Sequence, residues 1–292
     1  MGHDLFTSSK VGKKYFDLAN EIMGTDIQSI IFNGPEEKLK ETKYTQPAIY
    51  IVSVILGHIL LEEGQQPDMV AGHSLGEYSA CTIAGSLIFE TGLSLVKLRA
   101  ESMQDAGTTN PGTMAAIIGM ADEDVISMCN TISSDESVVV AANFNYPGQV
   151  VISGNINAVH ETMAKAPDLG AKMAKELNVS GAFHSPLMEP AKKRLSAALD
   201  NIEINTATIP VYANVTAEPM IEADEIRSNL KNQLDCPVKW HETIDNMKTA
   251  GATEMMEVGP GRVLQGLTRR IDKKLTSRGV ETLEQIKEIA HV

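Results

Sequence analysis

The sequence predicts an α/β fold in which a large domain with a parallel sheet carries a small inserted subdomain. Short apolar runs that end at glycine or proline alternate with helical stretches, as in "PDMVAGHS", "IPVYANVTA" and "TEMMEVGPG". Between residues 111 and 176 the spacing of strands and helices becomes denser. A chain of 292 residues is long enough for one large domain with such an insertion.

Charge and cysteine content exclude several functions. A net charge of −13 argues against nucleic-acid and anionic-membrane partners, which require a basic surface. The three cysteines are far apart, so neither a disulfide framework nor a zinc site is indicated. The start "MGHDLFTSSK" lacks a signal-peptide pattern, and the apolar stretch "AIYIVSVILGHILL" is too short for a membrane span and carries His58. We therefore expect a cytoplasmic protein.

The first third of the chain predicts a strand among helices. Apolar spacing indicates helices over 12–32 and 46–63, the second apolar on nearly every side and therefore buried. Residues 67–74 predict a strand that ends in a turn, and residues 75–87 continue as a helix. Residues 89–104 predict another amphipathic helix.

The inserted segment predicts six elements in the order β-α-β-β-α-β. These are a strand (113–119), a helix (122–132), two strands (137–144 and 149–154), a helix (157–166) and a strand (171–179). That order is the ferredoxin-like unit. We therefore divide the chain into a large catalytic domain (1–110 and 177–292) and a ferredoxin-like subdomain (111–176).

Ser74 is the candidate nucleophile. It lies in Gly72-His73-Ser74-Leu75-Gly76, a G-x-S-x-G motif in which glycines leave room for a strained turn. A strand before it and a helix after it are the context of an α/β-hydrolase-like domain, although a purely structural turn serine is the alternative. Because the following helix directs its free N–H groups at the turn, the Leu75 N–H is a candidate oxyanion donor.

A serine nucleophile requires a base, and histidine suits that role at neutral pH. His184 follows a predicted strand and small residues in "NVSGAFHSPLMEP", with Pro186 opening a helix. His73 adjoins Ser74, but neighbours in an extended segment point to opposite sides. The other five are expected to be structural or exposed: His3, His58, His160, His241 and His291. Spacing alone does not decide whether His184 is the base or has a structural role.

Two further roles stay open at this point. No acidic residue is indicated as the third triad member, and a backbone carbonyl can also orient an imidazole. Arg99 is either an exposed helix arginine or, if it faces the site, a bidentate ligand for a carboxylate.

The chain resembles the malonyl-CoA:acyl carrier protein transacylases, which include the acyltransferase domains of fatty acid and polyketide synthases. The matching segments follow the family's order over nearly the whole chain. They are "TQPAIY", "AGHSLGEYSA", "VKLRAESMQ", "GTMAAIIG", "AANFNYPGQVVISG", "GAFHSPLM", "PVYANVTA", "NQLDCPVKW" and "EVGPGRVLQGL".

The resemblance implies a role for each site residue. Ser74 would carry the acyl group, His184 would be the base, and the Gln233 carbonyl would orient its imidazole. Arg99 would pair with the malonate carboxylate, and the phenylalanine of "GAFH" would be the malonyl-selecting version. The remaining substrate-pocket residues implied are Met103, Met114 and Asn143. The implied reaction transfers malonyl from malonyl-CoA to the pantetheine thiol of acyl carrier protein, with no metal or other cofactor.

One departure and two alternatives accompany the resemblance. Family members begin with a strand and a glycine-rich turn ahead of the segment matching "MGHDLF", so we expect weak activity or stability of the sequence as written. An α/β-hydrolase thioesterase shares "GHSLG" but usually places its histidine near the C-terminus. A carrier-protein-docking subunit is the non-enzymatic alternative, with "AKKRL" (191–195) as its basic segment. Pathway and oligomeric state stay open.

Overall fold

A computed structural model describes residues 1–290 of the chain. Its helices are α1 (His3–Ser8), α2 (Lys10–Met23), α3 (Ile27–Asn33), α4 (Glu36–Lys40), α5 (Thr42–Glu62), α6 (Gly76–Ile83), α7 (Phe89–Thr109), α8 (Asp122–Ile132), α9 (Ile156–Lys165), α10 (Glu189–Asp200), α11 (Ala223–Asn232), α12 (Trp240–Thr249), α13 (Val263–Ile271) and α14 (Leu283–Ala290). Its strands are β1 (Val70–Ala71), β2 (Gly112–Ile118), β3 (Val139–Tyr146), β4 (Gln149–Asn155), β5 (Met173–Glu176), β6 (Val211–Tyr212), β7 (Pro219–Met220), β8 (Glu254–Val258) and β9 (Thr276–Val280). The protein is therefore a mixed α/β fold.

The predicted helix over 12–32 is wrong in one respect, because two helices occupy this segment. Gly24 ends α2 with a left-handed φ of 64°, a conformation that glycine adopts without a steric penalty. Asp26 then caps α3 by accepting a hydrogen bond from the Ser29 N–H. Apolar spacing continues across the break, because both helices pack against the same core.

Helix α5 is the long apolar helix at the centre of the large core. Its 21 residues make it long and apolar enough to cross a membrane. However, 67% of its most apolar window is buried inside the protein, so the apolar surface is covered by other helices. Contacts with α2, α6 and α7 surround it.

Within residues 1–290, the parallel sheet predicted for the large domain is present only as two small sheets, of three and two short strands. Strand β1 pairs in parallel with β6, with Val70 opposite Val211 and Ala71 opposite Tyr212. Strand β7 adds antiparallel to β6, and β8 and β9 form a separate parallel pair. The strand predicted over 67–74 is thus correct in position but only two residues long, because only Val70 and Ala71 are paired.

Residues 112–176 form a four-stranded antiparallel sheet of order β3-β4-β2-β5. Helix α8 has the predicted bounds, and the other predicted elements are present within a few residues. The last strand is shorter than predicted, since only Met173–Glu176 pair with β2. A separate hydrophobic core lies between this sheet and helices α8 and α9, and it includes Ile117, Val125, Val150 and Val159.

Candidate active site

Ser74 occupies the turn between β1 and α6 with a left-handed backbone. Its φ is 51°, which for a residue with a Cβ is strained and is typical of functional turns. Gly72 is required here, since an added Cβ would lie 1.9 Å from the Gly76 carbonyl carbon. A Cβ on Gly76 would meet nothing within 4 Å. Of the two motif glycines, only Gly72 is therefore required by the close approach of the Gly76 backbone.

Asn214, which follows β6, holds this turn in place with two side-chain hydrogen bonds. Its Oδ1 accepts a hydrogen bond from the Ser74 N–H at 2.6 Å, and its Nδ2 donates to the Gly72 carbonyl at 2.6 Å. Leu75 precedes the first residue of α6, and its N–H has no acceptor within residues 1–290. One backbone donor beside the serine hydroxyl is thus available to an oxyanion.

His184 meets Ser74 although 110 positions separate them in the chain. The distance from Ser74 Oγ to His184 Nε2 is 2.8 Å, and His184 Nδ1 lies 2.8 Å from the Gln233 carbonyl oxygen. His184 is 3% exposed and has a left-handed φ of 56°. If Nδ1–H donates to the carbonyl, Nε2 is left unprotonated and faces the hydroxyl.

Burial and a neighbouring cation keep this imidazole neutral. Desolvation is the main cause that lowers the pKa of His184 to about 3, and the positive charge of Arg99 lowers it further. The hydrogen bond to the Gln233 carbonyl acts in the opposite direction. At neutral pH His184 is therefore unprotonated, and its Nε2 is free to act as the acceptor of the Ser74 proton.

Arg99, on α7, is fully buried, so the alternative of an exposed helix arginine is wrong. Its Nη2 donates to Ser74 Oγ at 3.0 Å and to Gln233 Oε1 at 3.1 Å. Its Nη1 donates to Gln46 Oε1 at 2.6 Å, and its Cζ lies 5.7 Å from the Tyr78 ring centroid. Every group that accepts a hydrogen bond from Arg99 is neutral, and the nearby Glu77 carboxyl group acts on the guanidinium only through space.

Three contributors were missed at the sequence level, although each lies in a segment that matched the family. Gln46, Glu77 and Asn214 are polar side chains in predominantly apolar segments, and all are buried. A polar residue inside an apolar run was the available signal, because buried polar groups require specific partners. The side chain of Gln233 was also missed, since only its carbonyl had been assigned.

The other implied pocket residues, Met103, Met114 and Asn143, are all buried. Met103 is 2% exposed and its Sδ lies 3.3 Å from Gln46 Nε2. Met114 on β2 is buried in a small cluster that contacts Phe183, the neighbour of His184. Asn143 on β3 is buried at a bulge and pairs with Val238. Within residues 1–290, the hydrogen bonds of Ser74 Oγ go to His184 and Arg99 and not to Asn143.

The remaining histidines have other partners. His73 points away from Ser74, as expected, with Nε2 2.9 Å from Asn145 Oδ1 and its ring against Trp240. His241 pairs with Asp122 at 2.8 Å. His3 and His160 are exposed, and His58 packs against Tyr15. His291 lies outside the described residues.

Together these groups form a serine nucleophile, a neutral histidine base, a backbone oxyanion donor and a buried cation. This combination on an α/β fold has the groups that an acyltransferase acting through serine requires, and its cation is placed to hold an anionic acyl group.

The chain belongs to the acyl transferase domain family, which it matches over residues 1–285. It is 40% identical to the malonyl CoA-acyl carrier protein transacylase of Bacillus subtilis, over 98% of this chain and 90% of that protein. The structure is similar to that of the transacylase of the same name from Coxiella burnetii, with a TM-score of 0.95, 36% identity, and coverage of 100% and 92%. It is equally similar (TM-score 0.95, 38% identity, coverage of 100% and 94%) to a malonyl-transacylase in complex with a type II polyketide acyl-carrier protein.

Proposed function

We propose that this protein is an acyltransferase that moves a malonyl group from malonyl-CoA to acyl carrier protein through a malonyl-Ser74 intermediate. Relatives that share 36–44% identity bear the name of this activity. The single observation that carries the intermediate is the hydrogen-bonded chain from Ser74 Oγ through the His184 ring to the Gln233 carbonyl, with the Arg99 guanidinium at 3.0 Å from the same oxygen.

The first half-reaction forms the acyl-serine. Ser74 Oγ attacks the thioester carbon while His184 Nε2 accepts the hydroxyl proton. The Gln233 carbonyl accepts from Nδ1–H throughout and stabilises the imidazolium that forms. The negative charge that develops on the thioester oxygen is met by the Leu75 N–H at the start of α6. The C–S bond then breaks, and the coenzyme A sulfur takes the proton from His184.

Arg99 accounts for the choice of malonyl over acetyl. The acyl carboxylate would replace Ser74 Oγ among the acceptors of the Arg99 N–H groups, while the Gln46 and Gln233 amide oxygens keep the guanidinium in place. The charges of the carboxylate and the guanidinium would then neutralise one another. An acetyl group has no carboxylate, so the buried cation keeps only neutral hydrogen-bond partners. Neutralising Arg99 also removes a cause of the low His184 pKa, so binding the carboxylate makes the base stronger.

The second half-reaction reverses the first with a new thiol. The pantetheine thiol of the carrier protein loses its proton to His184 and attacks the malonyl-serine carbonyl, and Ser74 Oγ leaves with that proton. The solved relative that holds a carrier protein supports this partner. Serine and histidine supply all the acid–base and covalent chemistry of both halves.

The two-part organisation is also a proposal. We infer an α/β-hydrolase-like catalytic domain (1–110 and 177–292) with a ferredoxin-like subdomain (111–176). The separate core of the segment and its strand order support the second unit. Met114 and Asn143 would then line the substrate cleft from the subdomain, opposite Met103 and Arg99.

A partition assay tests the proposed function. The purified protein is mixed with malonyl-CoA and holo-acyl carrier protein, and malonyl-carrier protein and free malonate are both measured over time. We expect carrier-protein acylation to exceed malonate release, and the Ser74→Ala variant to lose both. Malonate release that exceeds transfer would favour the thioesterase alternative, and carrier-protein binding without any turnover would favour a docking subunit.

A further inference from the structure

Glu77 is a buried carboxyl group directly behind the nucleophile, and the mechanism above does not use it. It lies on the first turn of α6 and is 0% exposed. Its Oε2 accepts from Gln233 Nε2 at 2.5 Å and from the Asn214 N–H at 3.3 Å. Within residues 1–290, Oε1 has no hydrogen-bond partner and no cation forms an ion pair with this side chain. The nearest cation, Arg99, acts on Glu77 through space and lowers its pKa without forming an ion pair. A buried carboxyl group with no direct cationic partner requires an explanation.

The Gln233 side chain connects Glu77 to the substrate-binding cation. Its Nε2 donates to Glu77 and to the Ser74 carbonyl at 2.8 Å, while its Oε1 accepts from Arg99 at 3.1 Å. The two ends of an amide are not equivalent, because guanidinium offers only donors and carboxylate oxygen is an acceptor. A flipped amide would set N–H against N–H at Arg99. The two acceptors of Gln233 Nε2, Glu77 Oε2 and the Ser74 carbonyl, therefore fix which end of the amide faces the guanidinium, and Glu77 is the one that a side-chain substitution can remove.

Protonation does not remove this acceptor. Burial raises the pKa of Glu77 to about 7, so the proton is gained and lost near neutrality. Oε1 has no other partner and can take the proton, which leaves Oε2 as the acceptor for Gln233 and Asn214. An amide at this position, with its oxygen in place of Oε2, would have the same shape and the same acceptor.

We propose that Glu77 is a positioning residue for malonyl selectivity, which fixes the Gln233 amide with its oxygen toward Arg99 and so aims the guanidinium at the acyl carboxylate. The same carboxyl group also fixes Asn214, whose side chain holds the Ser74 turn. Loss of Glu77 would therefore weaken handling of malonyl more than handling of acetyl, because only malonyl depends on Arg99. This inference rests on the proposed malonyl transfer.

The test compares three variants by their kcat/KM for malonyl-CoA and for acetyl-CoA. Glu77→Leu removes the acceptor at similar volume, and Glu77→Gln restores it. Glu257→Leu is the matched control, since Glu257 also accepts from a glutamine Nε2 (Gln265, 3.1 Å) and from backbone N–H groups at Leu264 and Gln265, on β8 and α13.

We expect Glu77→Leu to lower the malonyl-to-acetyl ratio of kcat/KM by about 10- to 100-fold, the value of one charge-assisted hydrogen bond. The Gln variant should restore the ratio, and Glu257→Leu should leave it unchanged even if stability falls. Equal losses for both substrates in Glu77→Leu, or a Gln variant as poor as Leu, would overturn the proposal.

Glu77→Asp provides a second test in case Glu77→Leu does not fold. Glu77→Asp keeps the charge but withdraws the carboxylate from Gln233 Nε2 by about 1.5 Å, one carbon–carbon bond. We expect the same malonyl-selective loss, and an unchanged ratio overturns the proposal. Absence of malonyl transfer in the unmodified protein would instead refute the proposed function, so the two failures are distinguishable.

Discussion

Replacing Arg99 by alanine should change which acyl group the protein accepts. The variant loses a fully buried guanidinium whose nitrogens lie 2.6 Å from Gln46 Oε1, 3.1 Å from Gln233 Oε1 and 3.0 Å from Ser74 Oγ. Two charge-assisted hydrogen bonds to the malonyl carboxylate contribute about 1.5–3 kcal/mol each, so kcat/KM for malonyl-CoA should fall roughly 10²- to 10⁴-fold. Acetyl transfer should be unchanged or faster, because Arg99 lowers the pKa of His184 and its removal makes the base stronger.

The assay follows acylation of carrier protein from malonyl-CoA and acetyl-CoA in separate single-turnover reactions. Arg227→Ala is the control, because this half-buried arginine donates to the backbone carbonyls of Leu199 and Ile202, away from the site. It should affect both acyl groups alike, whatever its effect on stability. Retention of the malonyl preference by Arg99→Ala would refute the assignment of Arg99 as carboxylate ligand.

Three further predictions concern the turn and the two buried titratable groups. Gly72→Ala should abolish serine acylation while Gly76→Ala is tolerated, since only the first added Cβ would collide with backbone, at 1.9 Å; equal activity of the two variants by a malonylation assay would contradict this. Burial raises the pKa of Glu77 from 4.5 to about 7, so the folded state binds this proton more tightly than the unfolded state does. The resulting stabilisation is fully present below about pH 4.5 and is lost as pH rises through about 7. Urea unfolding should therefore show Glu77→Gln gaining stability relative to the unmodified protein between about pH 5 and about pH 8, by on the order of 3 kcal/mol at most, and no gain would refute the raised pKa. Because burial and Arg99 lower the pKa of His184 from 6.5 to about 3, kcat/KM for acylation should show no histidine limb near pH 6.5. The test uses Glu77→Gln, which removes the carboxyl group that gains its proton near pH 7, and a limb near pH 6.5 that persists in this variant would contradict the neutral buried base.

Local pattern predicted the elements of the inserted segment well. Helix α8 has the predicted bounds of 122–132, because three acidic residues in its first turn and regular apolar spacing mark both its start and its length. The strands of this segment pair over four to eight residues, enough to leave a clear alternation.

The sequence pattern was less informative where strand pairing or a break in the backbone sets the bounds of an element. Strand β1 was predicted over 67–74, yet only Val70 and Ala71 pair, because the extent of a strand depends on its neighbour β6. The break at Gly24 was missed, since apolar residues on both sides face one core. Single glycines inside a helical pattern are compatible with either outcome.

The candidate site shows the same limit at the level of side chains. A motif indicated Ser74, and resemblance indicated His184 and Arg99. For the network behind them the only local signal was a polar residue inside an apolar run, which shows that a residue is buried but not which partner it meets. Gln233 bonds Arg99 across 134 positions and Glu77 across 156. Such contacts arise from topology, and a single sequence does not reveal which polar residues become buried together.

The formation of a malonyl ester on Ser74 is the most direct test of the central claim. Intact-mass spectrometry after mixing with malonyl-CoA, followed by peptide mapping, reports whether and where the protein is acylated. We predict a mass increase of one malonyl group on the peptide containing Ser74, which disappears when holo-acyl carrier protein is added and does not form in His184→Ala on the same timescale. An unmodified Ser74 in a protein that still transfers malonyl would contradict the mechanism.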